Sequence, residues 1–328
     1  RCLTVGGGLS RRPRGSMKFK AVLAGDIGGQ IPTQVFHVLQ ALHRLERALE
    51  RSAAERRGAP PPSVVLRLSA DALAICHRGG VDEGMQTWSH FEPKKLFCEY
   101  RCESKRQNRI DLEAPIANLV RVFHSCASSD RTVLKLANGR DGRPILGFEF
   151  TLAGNAADHR VEQEVPVRVV PEAEAEAMRE PVLPEPEYQI ELPPNLGRLK
   201  NVLDKMRQVG AHHVFLEAAQ ETASAVASAG ASSGRAWLRL AAEAELVTVV
   251  SKFPSLVLVM EGKKVPSPAG PVGLLLSLRR LAEVLAAFQQ VGAEAHIACV
   301  LEGRALVLYA VLPGSMGSLI SYTPAVVV

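Results

Sequence analysis

Long apolar runs are missing from this 328-residue chain. None approaches the roughly 18 consecutive apolar residues of a membrane-spanning helix, so no membrane contact is expected. Cysteine is sparse, with six in all, and only Cys98 and Cys102 stand close together. No second pair lies at zinc-ligand spacing and no nearby His completes a set, so the expectation is reduced, structural thiols and no metal. Recognisable catalytic patterns are missing too. His212 and His213 begin a strand, and His37, His43 and His124 lie on helices, none beside a nucleophile. There is no P-loop and no dinucleotide fingerprint. Gly25-Asp26-Ile27-Gly28-Gly29 lacks the Lys and the spacing, and is read as a strand-to-helix turn. We expect no catalytic residue and no cofactor. A strong charge of one sign is also absent. The net charge is +5, which permits nucleic-acid contact without demanding it.

What is present is length for two domains and enough apolar residues, 47%, for a sizeable core. Residues 1–16, rich in Gly and Arg, are read as disordered or as an upstream extension of the gene model, with Met17 the natural start. The stretch from Pro171 to Glu187, PEAEAEAMREPVLPEPE, is Pro-rich and acidic. It reads as an extended surface linker, because Pro181, Pro184 and Pro186 stop both strand and long helix. The boundary placed there gives domains over 17–170 and 188–328 with a connecting loop over 171–187. Residues 51–63 and 222–234 read as loop insertions.

Each half shows the same order of elements: a short strand, a helix, several strands, a second helix and closing strands. The helices are expected near 32–51, 115–128, 195–209 and up to about 291. Two copies of one α+β unit on one chain suggest duplication.

The helices carry the functional signal. Val35, Val38, Leu39, Leu42, Leu45 and Leu49 form an apolar stripe on the first. Opposite it lie His37, Gln40, Arg44, Arg47 and Arg51. On the second, Ile116, Leu119, Val120 and Phe123 oppose Asn118, Arg121, Ser125 and Ser128. The third sets Leu196, Leu199, Leu203 and Met206 against Arg198, Asn201, Lys205 and Gln208. In the fourth, Leu281, Val284, Leu285 and Phe288 are core, while Arg280, Glu283 and Gln290 face out. Four helices in matching places, with cations and small polar groups outward, would touch phosphates without reading sequence. No aromatic platform lies on these faces, which argues against single-strand stacking.

The chain resembles a known family at several points. MKFKAVLAG from Met17 is similar to the opening strand of Hus-one proteins, and WSHFEPKKLFCEY from Trp88 to their Trp-bearing strand region. The most specific stretch runs from Val165 to Glu217, with its E-P-V-x-P-x-P loop and LK-x-V-x-x-K-M helix; Glu245 to Phe253 and Leu276 to Val291 also match. The resemblance implies an α+β DNA-clamp fold: two similar domains, each with antiparallel sheets and two helices lining a central hole. It implies a heterotrimeric ring with Rad-nine-like and Rad-one-like subunits in the nucleus. A dedicated clamp loader would place the ring on double-stranded DNA at damage, where it recruits checkpoint and repair proteins. Arg44, Arg47, Arg51, Arg121, Arg198, Lys205 and Arg280 are then the expected DNA contacts. Val182 and Leu183, apolar residues in an acidic Pro-rich loop, are candidate partner contacts or else staple the loop to its own domain. Thr132–Leu136 and Ala236–Leu240 are the expected joining edges. The alternative is a homotrimeric processivity clamp for polymerases; the E-P-V-L-P-E-P loop favours the checkpoint form.

Overall fold

The structure, a computed structural model, describes residues 17–24, 30–53, 62–78, 84–127, 129–152, 159–221, 234–259 and 270–327. The sixteen N-terminal residues, the turn at 25–29 and most of both expected insertions lie outside the described residues.

The first half contains β1 (Lys18–Ala24), α1 (Gln30–Ala53), β2 (Ser63–Leu68), β3 (Leu73–Arg78), β4 (Gln86–Phe91), a single turn α2 (Pro93–Leu96), β5 (Phe97–Glu103), β6 (Ile110–Pro115), α3 (Ile116–Cys126), β7 (Ser129–Asn138), β8 (Pro144–Leu152), β9 (His159–Pro166) and β10 (Arg168–Val169). The short helix α4 (Glu172–Ala177) follows. The second half contains β11 (Tyr188–Glu191), α5 (Gly197–Gln208), β12 (His213–Gln220), β13 (Arg235–Ala244), β14 (Val247–Leu258), β15 (Val272–Ser277), α6 (Leu278–Gln290), β16 (Ala295–Leu301), β17 (Ala305–Val311) and β18 (Gly317–Pro324). Both α5 and α6 end where glycine takes the left-handed conformation, Gly210 at φ 92° and Gly292 at φ 66°.

Strand order exposes the repeat. In the first half β6-β2-β3-β4 lie side by side, and β1-β7-β8-β9 form the body of a second sheet with β5 beyond β1. In the second half β15-β12-β13-β14 and β11-β16-β17-β18 follow the same two orders. The halves join where β18 pairs antiparallel with β4, from Gly317 opposite Phe91 to Tyr322 opposite Gln86. One sheet of thirteen strands therefore runs through both halves.

The four long helices form one layer in the order α3-α1-α6-α5, with α1 against α6 at the junction. Their apolar stripes and the inner faces of the sheets make a single core spanning both halves. Across the junction, the Gln34 side chain donates to the Val291 carbonyl at 2.8 Å, and Arg279 donates to the Ala48 carbonyl at 2.7 Å. A smaller core lies on the outer sheet face around Trp88, where Val170, Ala175 and Met178 cover Val65 and Cys76.

Several expectations are corrected. Thr132–Leu136 lies in β7, between β1 and β8, and Ala236–Leu240 lies in β13, between β12 and β14. Neither is an edge. Among the described residues, β5, β10 and β15 end their sheets, and free edges also belong to β9, which pairs only with β8, and to β14 from Val247 to Phe253, which pairs only with β13. Residues 165–170, among the closing strands, are split between two sheets as the end of β9 and β10. The acidic segment is not wholly extended: its Ala/Glu stretch, free of internal proline, forms α4. In α3 it is Val122 that is buried, while Val120 is half-buried.

Candidate nucleic-acid interface and connecting groove

Arg44 and Arg47 stand exposed on α1, opposite Val38, Leu42 and Leu45, which are fully buried. Arg121 is exposed on α3, and Arg198 and Lys205 on α5. Their solvent-facing position follows from the 3.6-residue period, which puts each about half a turn from the core stripe. Arg280, on α6, is half-buried and engaged in a contact of its own. Arg51 lies in the last turn of α1, and its side chain is outside the described residues. Arg44, Arg47, Arg121, Arg198 and Lys205 thus come from three helices of one layer, α1, α3 and α5, and share its solvent side. Between α1 and α6 the surface dips into a groove of about 370 Å³, lined by Gln40, His43, Arg44, Arg47, Glu283 and Gln290.

The charge pattern differs between the two faces of the molecule. On the outer face of the five-stranded sheet, cations are matched to carboxylates. Lys20 meets Glu99 at 2.8 Å, Lys135 meets Glu149 at 2.7 Å, and Arg160 meets Glu149 at 2.8 Å. On the helix layer, Arg44, Arg47, Arg121, Arg198 and Lys205 have no carboxylate partner among the described residues. Lys200 and Arg207, also on α5, are instead both drawn to Asp204. The helix layer thus keeps unneutralised guanidinium and ammonium groups in water, where they are available to phosphate.

The connecting segment is strapped down by ion pairs. Asp111 on β6 is fully buried and receives Arg67 at 2.8 Å and Arg109 at 2.9 Å. Arg67 also donates to the Ala175 and Met178 carbonyls at 3.0 and 2.7 Å, fastening the end of α4. Further along, Glu180 accepts from His90 on β4 at 2.9 Å and from the Tyr322 hydroxyl on β18 at 2.5 Å. Burial by itself would raise the Glu180 pKa, but the hydrogen bonds from His90 and Tyr322 outweigh it and hold the carboxyl below its ordinary range.

Beyond Glu180 the two apolar residues of the loop part ways. Val182 is 99% exposed, whereas Leu183 packs on the outer core. Leu183 stands beside a groove of about 460 Å³ walled by Pro184, Ile297, Cys299, Val307 and Tyr309. Burial pushes the Cys299 thiol up to about 12, so it stays neutral and the wall is apolar. Sequence reasoning missed this wall. Its residues stand on strands covered on both faces, which read as continuous apolar runs such as ALVLYAV and hide which side chains face outward.

Comparison with known proteins places this geometry. Residues 62–327 match the family model described as Hus1-like protein. The checkpoint protein hus1 of Schizosaccharomyces pombe is 29% identical over 230 residues, covering 68% of this chain and 76% of that protein. Checkpoint protein HUS1 of Homo sapiens is 29% identical over 196 residues, covering 58% of this chain and 63% of the human protein. A checkpoint protein hus1 homolog of Dictyostelium discoideum is 26% identical over 147 residues, or 44% of this chain and 53% of its own length. With paired antiparallel sheets, a shared helix layer and a match over most of its length, this chain belongs to the Hus1-like family of checkpoint clamp subunits.

Proposed function

We propose that this chain is a non-catalytic subunit of a heterotrimeric ring, built with Rad-nine-like and Rad-one-like partners, that encircles duplex DNA at damage in the nucleus. A dedicated loader would place the ring, and its outer surface would recruit checkpoint and repair proteins. Family membership supports the checkpoint role. One observation carries the DNA role: the helix layer holds unpaired cations on α1, α3 and α5, while the outer sheet face is neutralised by ion pairs. A sliding ring needs contacts that are weak and interchangeable, which separate surface cations supply.

The joint between neighbouring subunits follows from the joint inside the chain. There β18, last strand of the second-half group β11-β16-β17-β18, pairs with β4 of the other half. The equivalent strands by order are β9 and β14, and both keep a free edge. Open edges of this kind call for a partner strand. Each is therefore assigned to a neighbouring clamp chain.

The test uses the co-expressed three-chain assembly. Replacing Arg44, Arg47, Arg198 and Lys205 together by Ala should weaken DNA binding and flatten its salt dependence, by about 0.9 in the log–log slope for each phosphate no longer engaged. Thermal melting should hardly change, since these side chains lie opposite the core stripes. Unchanged affinity and slope in a normally assembled ring would refute the DNA role. A stable homotrimer of this chain alone would refute the checkpoint assembly in favour of a processivity clamp.

A further inference from the structure

The repeat makes one uncovered face conspicuous. In the first half, the outer-face row Val65–Cys76–Trp88 across β2, β3 and β4 is roofed by the connecting segment. The matching row of the second half is Phe215–Ala241–Val250 across β12, β13 and β14, with Leu275 of β15 beside Phe215. No described segment roofs it: Phe215 remains 40% exposed and Val250 50%. Phe215 is nevertheless held in place. Its ring lies against Gly273, where an added Cβ would come within 2.4 Å of the ring tip. Next to this row, at the β13–β14 hairpin, is a concavity of about 1190 Å³ whose rim includes Val209, Phe215, Leu246, Glu243 and Glu245. Leu246 is 94% exposed.

Charge indicates the kind of occupant. Arg239 in the same concavity is neutralised by Glu217 at 2.8 Å. Glu243 and Glu245 have no cationic partner among the described residues. The site therefore offers an apolar floor with an acidic rim, the complement of a basic segment carrying apolar anchors. We propose that this concavity docks a basic peptide segment of another protein, which sets an apolar side chain against Phe215 and Leu246 and its cations against Glu243 and Glu245.

The inference does not depend on the DNA role, and its test can fail separately. Fluorescence anisotropy would follow a labelled peptide of alternating Lys and Leu, and its Glu/Leu counterpart, on the co-expressed assembly. The Lys/Leu peptide should bind and the Glu/Leu peptide should not. Leu246→Ser, at a position too exposed to disturb folding, should weaken binding about tenfold, the loss of one apolar anchor. Glu243→Gln with Glu245→Gln should weaken it several-fold and reduce its sensitivity to salt. Equal binding of both peptides, no binding of either, or indifference to both sets of substitutions would overturn the proposal. So would binding to the isolated chain that disappears when the other clamp subunits are added, because the face would then be a subunit contact.

Discussion

Asp111 concentrates more of the outer-face architecture than any neighbouring side chain. It is fully buried between Arg67 and Arg109, and Arg67 passes the restraint on to the end of α4. Removing its charge takes from Arg67 its only ion-paired carboxylate among the described residues and leaves Arg109 with Glu176 alone. Asp111→Asn should therefore destabilise the chain by about 3–5 kcal/mol, read by chemical denaturation. Arg67→Ala should expose the α4 segment to protease while leaving the helix layer intact. A second residue-scale consequence concerns acid. His77 is buried beneath α1 beside the Glu46 carboxylate, and burial lowers its pKa from 6.5 to about 4. Burial also lowers His296. Both are neutral when folded, whereas an unfolded chain takes up their protons more readily. Their contribution is complete above pH 6.5 and shrinks as pH falls, for His77 toward about 4. Denaturant midpoints measured through that window should fall with pH, and His77→Gln should flatten the decline.

Among the elements, the seam between β4 and β18 leaves the least room for change. A Cβ on Gly317 would stand 1.9 Å from the His90 carbonyl oxygen. Gly317→Ala must push the two strands apart, and the resulting loss of stability should be about 2 kcal/mol or more by thermal melting. The connecting loop is predicted to divide by residue. Leu183→Ser should lower stability, because Leu183 packs on the outer core, while Val182→Ser should leave melting unchanged. If Val182 is a partner contact, only its substitution will reduce partner binding at unchanged melting temperature. Helices were the most legible elements in the sequence, since each carries a complete apolar stripe. β4 shows in the sequence through the Trp-bearing stretch that resembles the family and not through its residue pattern, for a physical reason. Thr87 and Ser89 are wholly buried, and the Ser89 hydroxyl donates to the Ser318 carbonyl at 3.1 Å. A strand that buries polar residues at a domain seam shows no apolar alternation.

At the scale of the whole molecule, the fold class could be read from element order and from the quoted family motifs, but sheet order could not. Which strand stands at an edge depends on pairings between residues far apart in sequence. β7 acquires its second neighbour from β1, more than a hundred residues earlier, as in Lys20 opposite Lys135. The cations of the helix layer were readable one by one from periodicity. The ion pairing that neutralises the opposite face was not, because it arises across strands. The assembly prediction belongs to this scale. A proline placed at Glu162 or at Ser251, each on a strand with a free edge, should block ring formation with the other clamp chains while leaving the four-helix layer folded. Size-exclusion chromatography of co-expressed chains would show an intact ring if these edges are not the joints.

The strap from Pro171 to Glu187 also decides where such a ring can come apart. It tethers the two sides of the β4–β18 joint, so that joint re-forms at an effective concentration in the millimolar range, whatever the amount of protein in solution. A joint between chains has no such leash, and its closing rate falls with dilution. A ring made of equivalent joints would therefore open between chains, at β9 or β14, and close again on the DNA it has admitted.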